Sequence, residues 1–186
     1  MSKMNRKIYF NNQNLHITNA IEEDSSLKIL GTAAHFGSAN LNGEIVDEKS
    51  FDSFFTLYNA GKLTPALNYN HDSKMLIGGV DKLYVTDNAL CCEAHLNKDV
   101  AFCRDTLIPM VKGGDIKSFS TEGFVDYNDI VTNEDNTYYC KNFLLTAIAV
   151  VSVPADYNSE FSIKNYVEAC KLQQPKKLNP YYFILR

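Results

Sequence analysis

The sequence predicts a mainly β fold with some α structure, in which helices pack outside a barrel-like core of strands. Eleven Tyr and eleven Phe occur with no Trp, and aromatic side chains are enriched on the half-buried faces of sheets. Segments with the pattern of a strand outnumber segments with the pattern of a helix. The stretch from Phe143 to Val151 is apolar on both faces, which is typical of a strand buried on both sides.

Length and charge limit the classes to which this protein can belong. Its 186 residues suit one ordinary domain, and its 45% apolar and 22% charged residues are typical of a globular protein. Eighteen basic residues against twenty-two acidic ones give a net charge of −4. Because binding to a phosphate backbone needs a positive surface, we expect no nucleic-acid partner. The longest apolar run, Ala147 to Val151, is too short to cross a bilayer, so we expect no membrane partner.

The cysteines and the first residues predict an intracellular, reduced protein without a cofactor. The five cysteines are odd in number and include no CxxC pair, which argues against zinc ligation and against a disulfide framework. The first residues lack the apolar segment of a signal peptide. No phosphate-binding glycine motif is present, and no two of the four histidines have the i, i+4 spacing of a helical metal site. We therefore expect neither a metal nor a bound cofactor.

The first predicted elements are a strand and a short helix. The strand covers Leu27–Phe36, and Asn42-Gly43 marks a tight turn after it. The helix covers Phe51–Asn59, with Ser50 as its N-cap. Its aromatic residues fall at i, i+3, i+4 and i+7 and so share one face: Phe51, Phe54, Phe55 and Tyr58.

Three strands and a second helix follow. The strands are predicted over Pro65–Asn70, Met75–Val85 and Ala89–Leu96, the last two forming a hairpin. Gly78-Gly79 within the second strand indicates a bulge or the close approach of another backbone. The helix is predicted over Asp99–Lys112, with Asp99 as its cap.

Proline and glycine punctuate this second helix near its end. Pro109 is expected to kink or shorten the last turn, because proline lacks a backbone N–H and its ring clashes with the preceding turn. Gly113-Gly114 is expected to end the helix.

The remainder is predicted as strands, followed by a helix and a tail. In chain order these are strand Asp115–Phe119 leading through Ser120 into Gly123–Tyr127, polar turn Thr132–Thr137, strand Tyr138–Val153 and helix Asn158–Leu172. Residues 173–186 contain two prolines and are predicted to form an extended tail. We therefore divide the chain into one domain over residues 1–172 and a tail over residues 173–186.

Serine chemistry is the reaction class for which the residues offer candidates. A GxSxG elbow is absent, but His71 ends a short predicted strand, and Ser118 and Ser120 lie on a later one. A serine hydroxyl is a poor nucleophile until a base accepts its proton, and imidazole does so near neutral pH. A histidine in a turn and a serine in a strand are equally typical of structural roles, so residue types alone leave the choice open.

Three segments taken in order resemble a known family. Asn68–Val80 carries His followed by Asp and then Ile-Gly, Gly114–Phe124 reads Gly-x-Ile-x-x-Phe-Ser before Gly-Phe, and Leu145–Ala155 closes a buried strand on Pro-Ala. This series is similar to the prohead (capsid-maturation) serine proteases of tailed bacteriophages, which are related in fold to the herpesvirus assemblin proteases. The early segment Gly31–Phe36 also fits, and the resemblance covers roughly residues 27 to 170. It implies a herpesvirus-protease-like barrel.

The resemblance also implies a function and a site. The protein would be a serine endopeptidase that acts inside the procapsid in the host cytoplasm. Its substrates would be the scaffold, the amino-terminal segment of the major capsid protein and itself. His71 would be the general base and Ser120 the nucleophile, with Ser118, on the same face of the strand, as the rival. Relatives form dimers or rings, so a homo-oligomer is implied.

The sequence departs from the family pattern at two points. Thr121 and Glu122 separate Ser120 from Gly123, where many members have a single residue. In addition, Ala147 stands where the late strand of many members carries a glutamate. If that acid orients the histidine in those relatives, this chain must use another group or a dyad. The candidates for the third position are Glu122, Asp126 and His95.

Two other functions compete with the protease hypothesis. A catalytically inactive β-barrel structural or assembly protein of the phage head would explain Ala147 directly. A barrel that carries a small ligand is the third possibility, but no polar constellation supports it. The protease and structural hypotheses differ in whether the purified protein trims its own tail, since the polar, proline-punctuated stretch after Lys171 is a plausible site of self-processing.

Overall fold

The structure, a computed structural model, describes residues 25–86 and 88–152 and the backbone of residues 6–11. Ten strands and two α-helices are present in this part of the chain. The strands are β1 (Arg6–Asn11), β2 (Ser26–His35), β3 (Glu44–Ile45), β4 (Ala66–Tyr69), β5 (Asp72–Thr86), β6 (Ala89–Asn97), β7 (Ser118–Val125), β8 (Ile130–Thr132), β9 (Tyr138–Cys140) and β10 (Phe143–Val151). The helices are α1 (Asp52–Asn59) and α2 (Ile108–Gly113).

Seven of these strands form one curled sheet. Their order is β1-β7-β10-β4-β5-β6-β2, and the remaining three form a small sheet in the order β3-β9-β8. Neighbours in the large sheet are antiparallel except β10 and β4, which run parallel. The large sheet curls into a half-barrel, so that β2 at one edge contacts β7 near the other. The predicted mainly β fold with additional helices is confirmed.

The aromatic face formed by α1 and by Phe51, the residue before it, packs onto the large sheet as the spacing predicts. The side chains of Phe51 and Phe54 are fully buried, and the ring of Phe51 meets that of Phe143 on β10 edge-on, with 5.5 Å between centroids. Phe54 stacks on Tyr58 with 5.5 Å between centroids. Burial of large aromatic rings is the main source of stabilisation for such a short helix.

The predicted N-cap of this helix is wrong. The helical segment begins three residues earlier, with a 3₁₀ turn over Glu48–Phe51, and Asp47 caps it. The Asp47 carboxylate accepts a hydrogen bond from the backbone N–H of Ser50 at 3.0 Å, and the Ser50 hydroxyl accepts one from the backbone N–H of Asp47 at 3.0 Å. Ser50 is thus the third helical residue of a capping box. Its hydroxyl accepts the backbone N–H of the N-cap residue and is not itself the cap.

The second helix contains a π-helical turn that the sequence did not predict. Helical structure begins at residue 101, widens into the π segment Cys103–Leu107, and continues as α2. Pro109 lies in the first turn of α2 and does not end the helix. The wider turn that precedes it accommodates a residue without an N–H donor. Gly114 ends the helix in a left-handed conformation with φ 82°, so the predicted glycine stop is confirmed.

The glycine pair in β5 marks a close backbone approach, as predicted. A Cβ placed on Gly78 would lie 1.8 Å from the carbonyl oxygen of His95 on β6, closer than any real contact. A Cβ on Gly79 would lie 2.9 Å from the His95 ring. Because neither glycine has a side chain, β6 can lie closely against β5 at this point. On the other side of β5, the pairing with β4 shifts register between Leu67 and Asn68.

The single strand predicted over Tyr138–Val153 is wrong in its first part. The chain bends at residues 141–142 and divides into β9 and β10, because β9 pairs within the small sheet and β10 within the large one. Seven of the nine residues of Phe143–Val151 are buried, and the run from Ala147 to Val151 is buried without interruption, as expected of a central strand. The predicted helix Asn158–Leu172 and the tail over 173–186 lie outside the described residues. No described helix is long and apolar enough to span a membrane.

Candidate active site

Strand β7 presents three polar side chains on one face. Ser118, Ser120 and Glu122 alternate with Phe119 and Thr121, and the strand pairs with β1 without a register shift, so the alternation is unbroken. All three polar side chains are buried: Ser120 has no exposed surface and Glu122 is 4% exposed. Burial of a carboxylate is costly unless a partner compensates it, so the surroundings of Glu122 are informative.

Two alanines on β10 separate this polar face from β4. Ser120 pairs with Ala149, which in turn pairs with Asn68 on β4. Glu122 pairs with Ala147, which lies two residues before Ala149 on β10. Paired residues of adjacent strands point to the same face of a sheet. The methyl groups of the two alanines therefore leave room above the sheet for a larger side chain that reaches from β4 towards β7.

His71 reaches this space from a tight hairpin turn. Tyr69 pairs with Asp72, so the turn between β4 and β5 consists of Asn70 and His71 alone. Both central residues are left-handed, with φ of 49° for Asn70 and 61° for His71, which is the conformation of a type I′ turn. The sequence analysis correctly placed His71 at the end of a short strand but gave no indication of this conformation.

The turn is fastened to the end of β10. The Asn70 backbone N–H donates a hydrogen bond to the Val150 carbonyl at 2.9 Å. Its side-chain carbonyl accepts one from the Ser152 backbone N–H at 3.1 Å. Because asparagine tolerates the left-handed region better than most residues, Asn70 suits both the backbone conformation and the anchoring contact.

The imidazole of His71 meets the carboxylate of Glu122. His71 Nδ1 lies 3.4 Å from Glu122 Oε2, and the side chains are 18% and 5% exposed, respectively. The contact joins the turn after β4 to β7, two strands that are not neighbours in the sheet, since β10 runs between them. A carboxylate beside Nδ1 of an imidazole is the arrangement by which acids orient a histidine base.

The other two candidates for a partner of His71 lie elsewhere. Asp126 caps the short turn after β7 and accepts hydrogen bonds from the backbone N–H and the side-chain amide of Asn128, at 3.0 and 2.9 Å. His95 lies on β6 with its Nδ1 2.6 Å from Asp81 Oδ1. Of the three residues that the sequence analysis proposed, the structure brings Glu122 to His71.

The spacing along β7 distinguishes the two serines. Side chains two residues apart on a strand are separated by about 7 Å, and those four apart by about 14 Å. Ser120 is two residues from Glu122, whereas Ser118 is four residues away and pairs with Val151 at the end of β10. Ser120 is therefore nearer to the contact between His71 and Glu122.

Sequence reasoning missed one further polar residue beside this site. Asn68 is 1% exposed and stands level with Ser120 across Ala149. Among the described residues, its side-chain oxygen has no hydrogen-bond partner. The available signal in the sequence was a polar amide between Leu67 and Tyr69 in a short apolar strand. Buried polar groups are normally hydrogen-bonded, so an amide at such a position calls for an explanation.

Comparison with known proteins assigns the class to which this chain belongs, the capsid-maturation serine proteases. The family model of the caudovirus prohead serine proteases matches residues 14–173, and the chain belongs to that family. Among solved structures, the bacteriophage T4 capsid assembly protease gp21 has a similar fold, with a TM-score of 0.57 at 14% sequence identity. That similarity covers 81% of this chain and 97% of the T4 chain. No curated protein sequence matches. The predicted family resemblance is confirmed.

Proposed function

We propose that this protein is the endopeptidase that cleaves scaffold and capsid-protein segments, and itself, inside the procapsid. Ser120 is its nucleophile and His71 its general base. The observation that carries this proposal is the contact of His71 with a buried carboxylate two residues from Ser120 on the same face of β7. Membership of the prohead serine protease family supports the choice of reaction and of substrates.

The proposed reaction is acyl transfer through a serine ester. His71 Nε2 accepts the proton of the Ser120 hydroxyl as its oxygen attacks the scissile carbonyl carbon. Collapse of the tetrahedral intermediate breaks the C–N bond, and the imidazolium gives its proton to the departing amine. A water molecule, deprotonated by His71, then attacks the ester, and the hydroxyl of Ser120 recovers its proton as the carboxylic acid product leaves.

The burial of Ser120 places a condition on this reaction. Its side chain has no exposed surface. A peptide carbonyl can therefore reach the hydroxyl only if the residues packed over Ser120 move. A small serine-directed phosphonate tests this access without knowledge of the cleavage sequence. We expect the wild-type protein to gain the mass of one phosphonyl group on Ser120.

Co-expression with a capsid-protein precursor and scaffold tests the catalytic roles. We expect Ser120→Ala and His71→Ala to abolish cleavage while the proteins stay folded, and Ser118→Ala to retain it. Cleavage by Ser120→Ala together with loss in Ser118→Ala would transfer the role to Ser118. Normal cleavage by His71→Ala would overturn the proposal.

The inactive structural protein remains the second candidate, favoured by Ala147 and by the fully buried Ser120. It is distinguished by incubation of the purified protein. An unchanged full-length mass over several days, together with no phosphonate labelling, would favour this structural role. Trimming within the segment after Lys171 would instead support the protease. The same sample in a sedimentation experiment tests the proposed homo-oligomer.

A further inference from the structure

We propose that Glu122 of β7 orients the His71 imidazole through the contact of its carboxylate with Nδ1. This inference rests on the proposed function, because it assigns a role in the same reaction. Glu122 acts through His71 and is therefore a positioning residue.

The register of β7 against β10 places Glu122 opposite Ala147. Glu122 and Ala147 are paired directly across the two antiparallel strands, and the Cβ atoms of such a pair are about 5 Å apart. A carboxylate on either residue rises from the same face of the sheet. A glutamate at 122 can therefore reach the space that a glutamate at 147 would occupy.

The burial of the Glu122 carboxylate points to the same role. The side chain of Glu122 is 5% exposed and that of His71 is 18% exposed. A buried carboxylate is costly unless a partner compensates it, and the His71 imidazole, 3.4 Å away, is placed to do so.

A bulge in β10 holds the backbone of Glu122. The pairing of β10 with β7 shifts register between Leu145 and Ala147, so Thr146 forms a bulge there. The Thr146 hydroxyl donates a hydrogen bond to the Glu122 carbonyl at 3.2 Å. Bulges re-aim side chains next to active sites, and this one fixes the strand at the residue whose carboxylate meets His71.

The consequence for catalysis follows from the tautomer of the histidine. A carboxylate at Nδ1 favours the tautomer that carries its proton on Nδ1, which leaves the Nε2 lone pair free to accept a proton from Ser120. The same carboxylate stabilises the imidazolium formed after that transfer. An amide in its place would favour the tautomer less and would stabilise the cation less.

The experiment compares three variants in the full chain by the rate of phosphonate labelling of Ser120. Glu122→Gln removes the charge and keeps the shape, and we expect labelling to slow by about 10²–10⁴-fold. Glu122→Ala combined with Ala147→Glu moves the acid across the strand pair, and we expect labelling at least about 10-fold faster than in Glu122→Ala alone. Glu44→Gln is the matched control, since Glu44 is a buried carboxylate of the small sheet with its own hydrogen bond from Asn40; its labelling should match the wild type.

A second readout separates orientation from stability. In ¹⁵N-histidine NMR spectra, the wild-type His71 should be protonated at Nδ1, and Glu122→Gln should shift the population towards the other tautomer. Labelling and tautomer both unchanged in Glu122→Gln, with labelling abolished in Ser120→Ala, would overturn the role of Glu122 and leave the proposed function standing. If the wild type is not labelled, both the role of Glu122 and the proposed function are overturned. If Glu122→Gln does not fold, the double variant Glu122→Ala/Ala147→Glu is used instead. Faster labelling than in Glu122→Ala supports the role of Glu122, and labelling no faster overturns it.

Discussion

The side chain of Asn70 accepts a hydrogen bond from the backbone N–H of Ser152, 82 residues further along the chain, at 3.1 Å. This bond fastens the two-residue turn that carries His71 to the end of β10, the strand that lies between His71 and Ser120. The position of the imidazole is therefore set by the register of three strands and by one asparagine.

The first prediction concerns this asparagine. Asn70→Ala should lower the free energy of unfolding by about 2 kcal/mol, because alanine is strained at φ 49° and the anchoring hydrogen bond is lost. It should also slow phosphonate labelling of Ser120 by 10-fold or more. Asn70→Gly relieves the backbone strain but still lacks the side chain that bonds to Ser152, so its labelling should also be slow. Urea denaturation and labelling kinetics measure the two effects.

Asn136 offers a matched control for this experiment. It lies in the turn between β8 and β9 of the small sheet with φ 65°, so Asn136→Ala imposes a comparable strain of about 1–2 kcal/mol outside the sheet that carries His71. Its labelling rate should equal that of the wild type. Equal labelling rates in Asn70→Ala and Asn136→Ala would contradict the anchoring role.

A second prediction concerns acid stability through Asp47. Burial acts to raise the pKa of Asp47, but hydrogen bonds from the Tyr139 hydroxyl, at 2.7 Å, and from Ser50 outweigh it and hold the pKa below the ordinary 3.8. A carboxyl whose pKa is lower in the folded state contributes stability above its unfolded pKa and loses that contribution as the pH falls through the folded value. Tyr139→Phe should therefore cost about 1–2 kcal/mol at pH 7.

The difference between Tyr139→Phe and wild type should narrow below pH 3.8, where Asp47 takes up its proton. Chemical denaturation at a series of pH values measures it. Tyr127→Phe is the control, because Tyr127 is 76% exposed, and it should leave stability unchanged at every pH. A loss in Tyr139→Phe that stays constant across the range would refute the link to Asp47.

A third prediction concerns thiol reactivity. Burial raises the pKa of Cys103 to about 11, and its thiol donates a hydrogen bond to the Ile77 carbonyl at 3.1 Å. Cys91, Cys92 and Cys140 are likewise buried, and burial raises the pKa of Cys92 well above its ordinary value. Since the thiolate is the reactive form, these four thiols should resist Ellman's reagent at pH 8.

The thiol measurement is made on a Cys170→Ser background, so that the signal reports only these four residues. Addition of denaturant should release four equivalents of thiol. Rapid reaction of any of them in the native protein would mean that the sheet opens much more readily than its packing indicates.

A fourth prediction concerns Gly123, the residue after Glu122. A Cβ at this position would lie 2.3 Å from the Leu144 carbonyl oxygen and 2.7 Å from the ring of Phe143. Gly123→Ala should therefore force β7 away from β10 and lower the melting temperature much more than Gly37→Ala. At Gly37 the added methyl group meets nothing within 4 Å and only the positive φ is strained. Similar losses in the two variants would show that the strands yield easily.

Local patterns in the sequence predicted most of the elements and the family. The aromatic face of α1, the hairpin of β5 with β6 and the buried run of β10 follow from periodicity, which neighbouring residues determine. The choice of Asp47 over Ser50 as the cap did not follow, because both residue types cap helices and a reciprocal pair of hydrogen bonds decided between them. The division of Tyr138–Val153 depends on which sheet each half joins, and that is a tertiary property.

The candidate site was only partly predictable, because it too depends on which strands lie side by side. His71 and Ser120 came from the family resemblance, and their catalytic roles stay predictions. The sequence analysis could not choose among Glu122, Asp126 and His95, because the choice depends on register across strands that are distant in sequence. Only the side-by-side placement of β7, β10 and β4 brings the carboxylate of Glu122 to the ring of His71.

The parallel pairing of β4 with β10 affects when this site forms. Antiparallel neighbours can close through short turns, but Asn68 and Ala149 meet only after the whole of the chain between them has looped back. Contacts between residues so distant in sequence close a long loop at an entropic cost, and topologies rich in them fold slowly. A newly synthesised chain consequently lacks the junction of His71 with β7 until its sheet is complete. The topology thus requires the chain as far as the end of β10 before His71 can be positioned against β7.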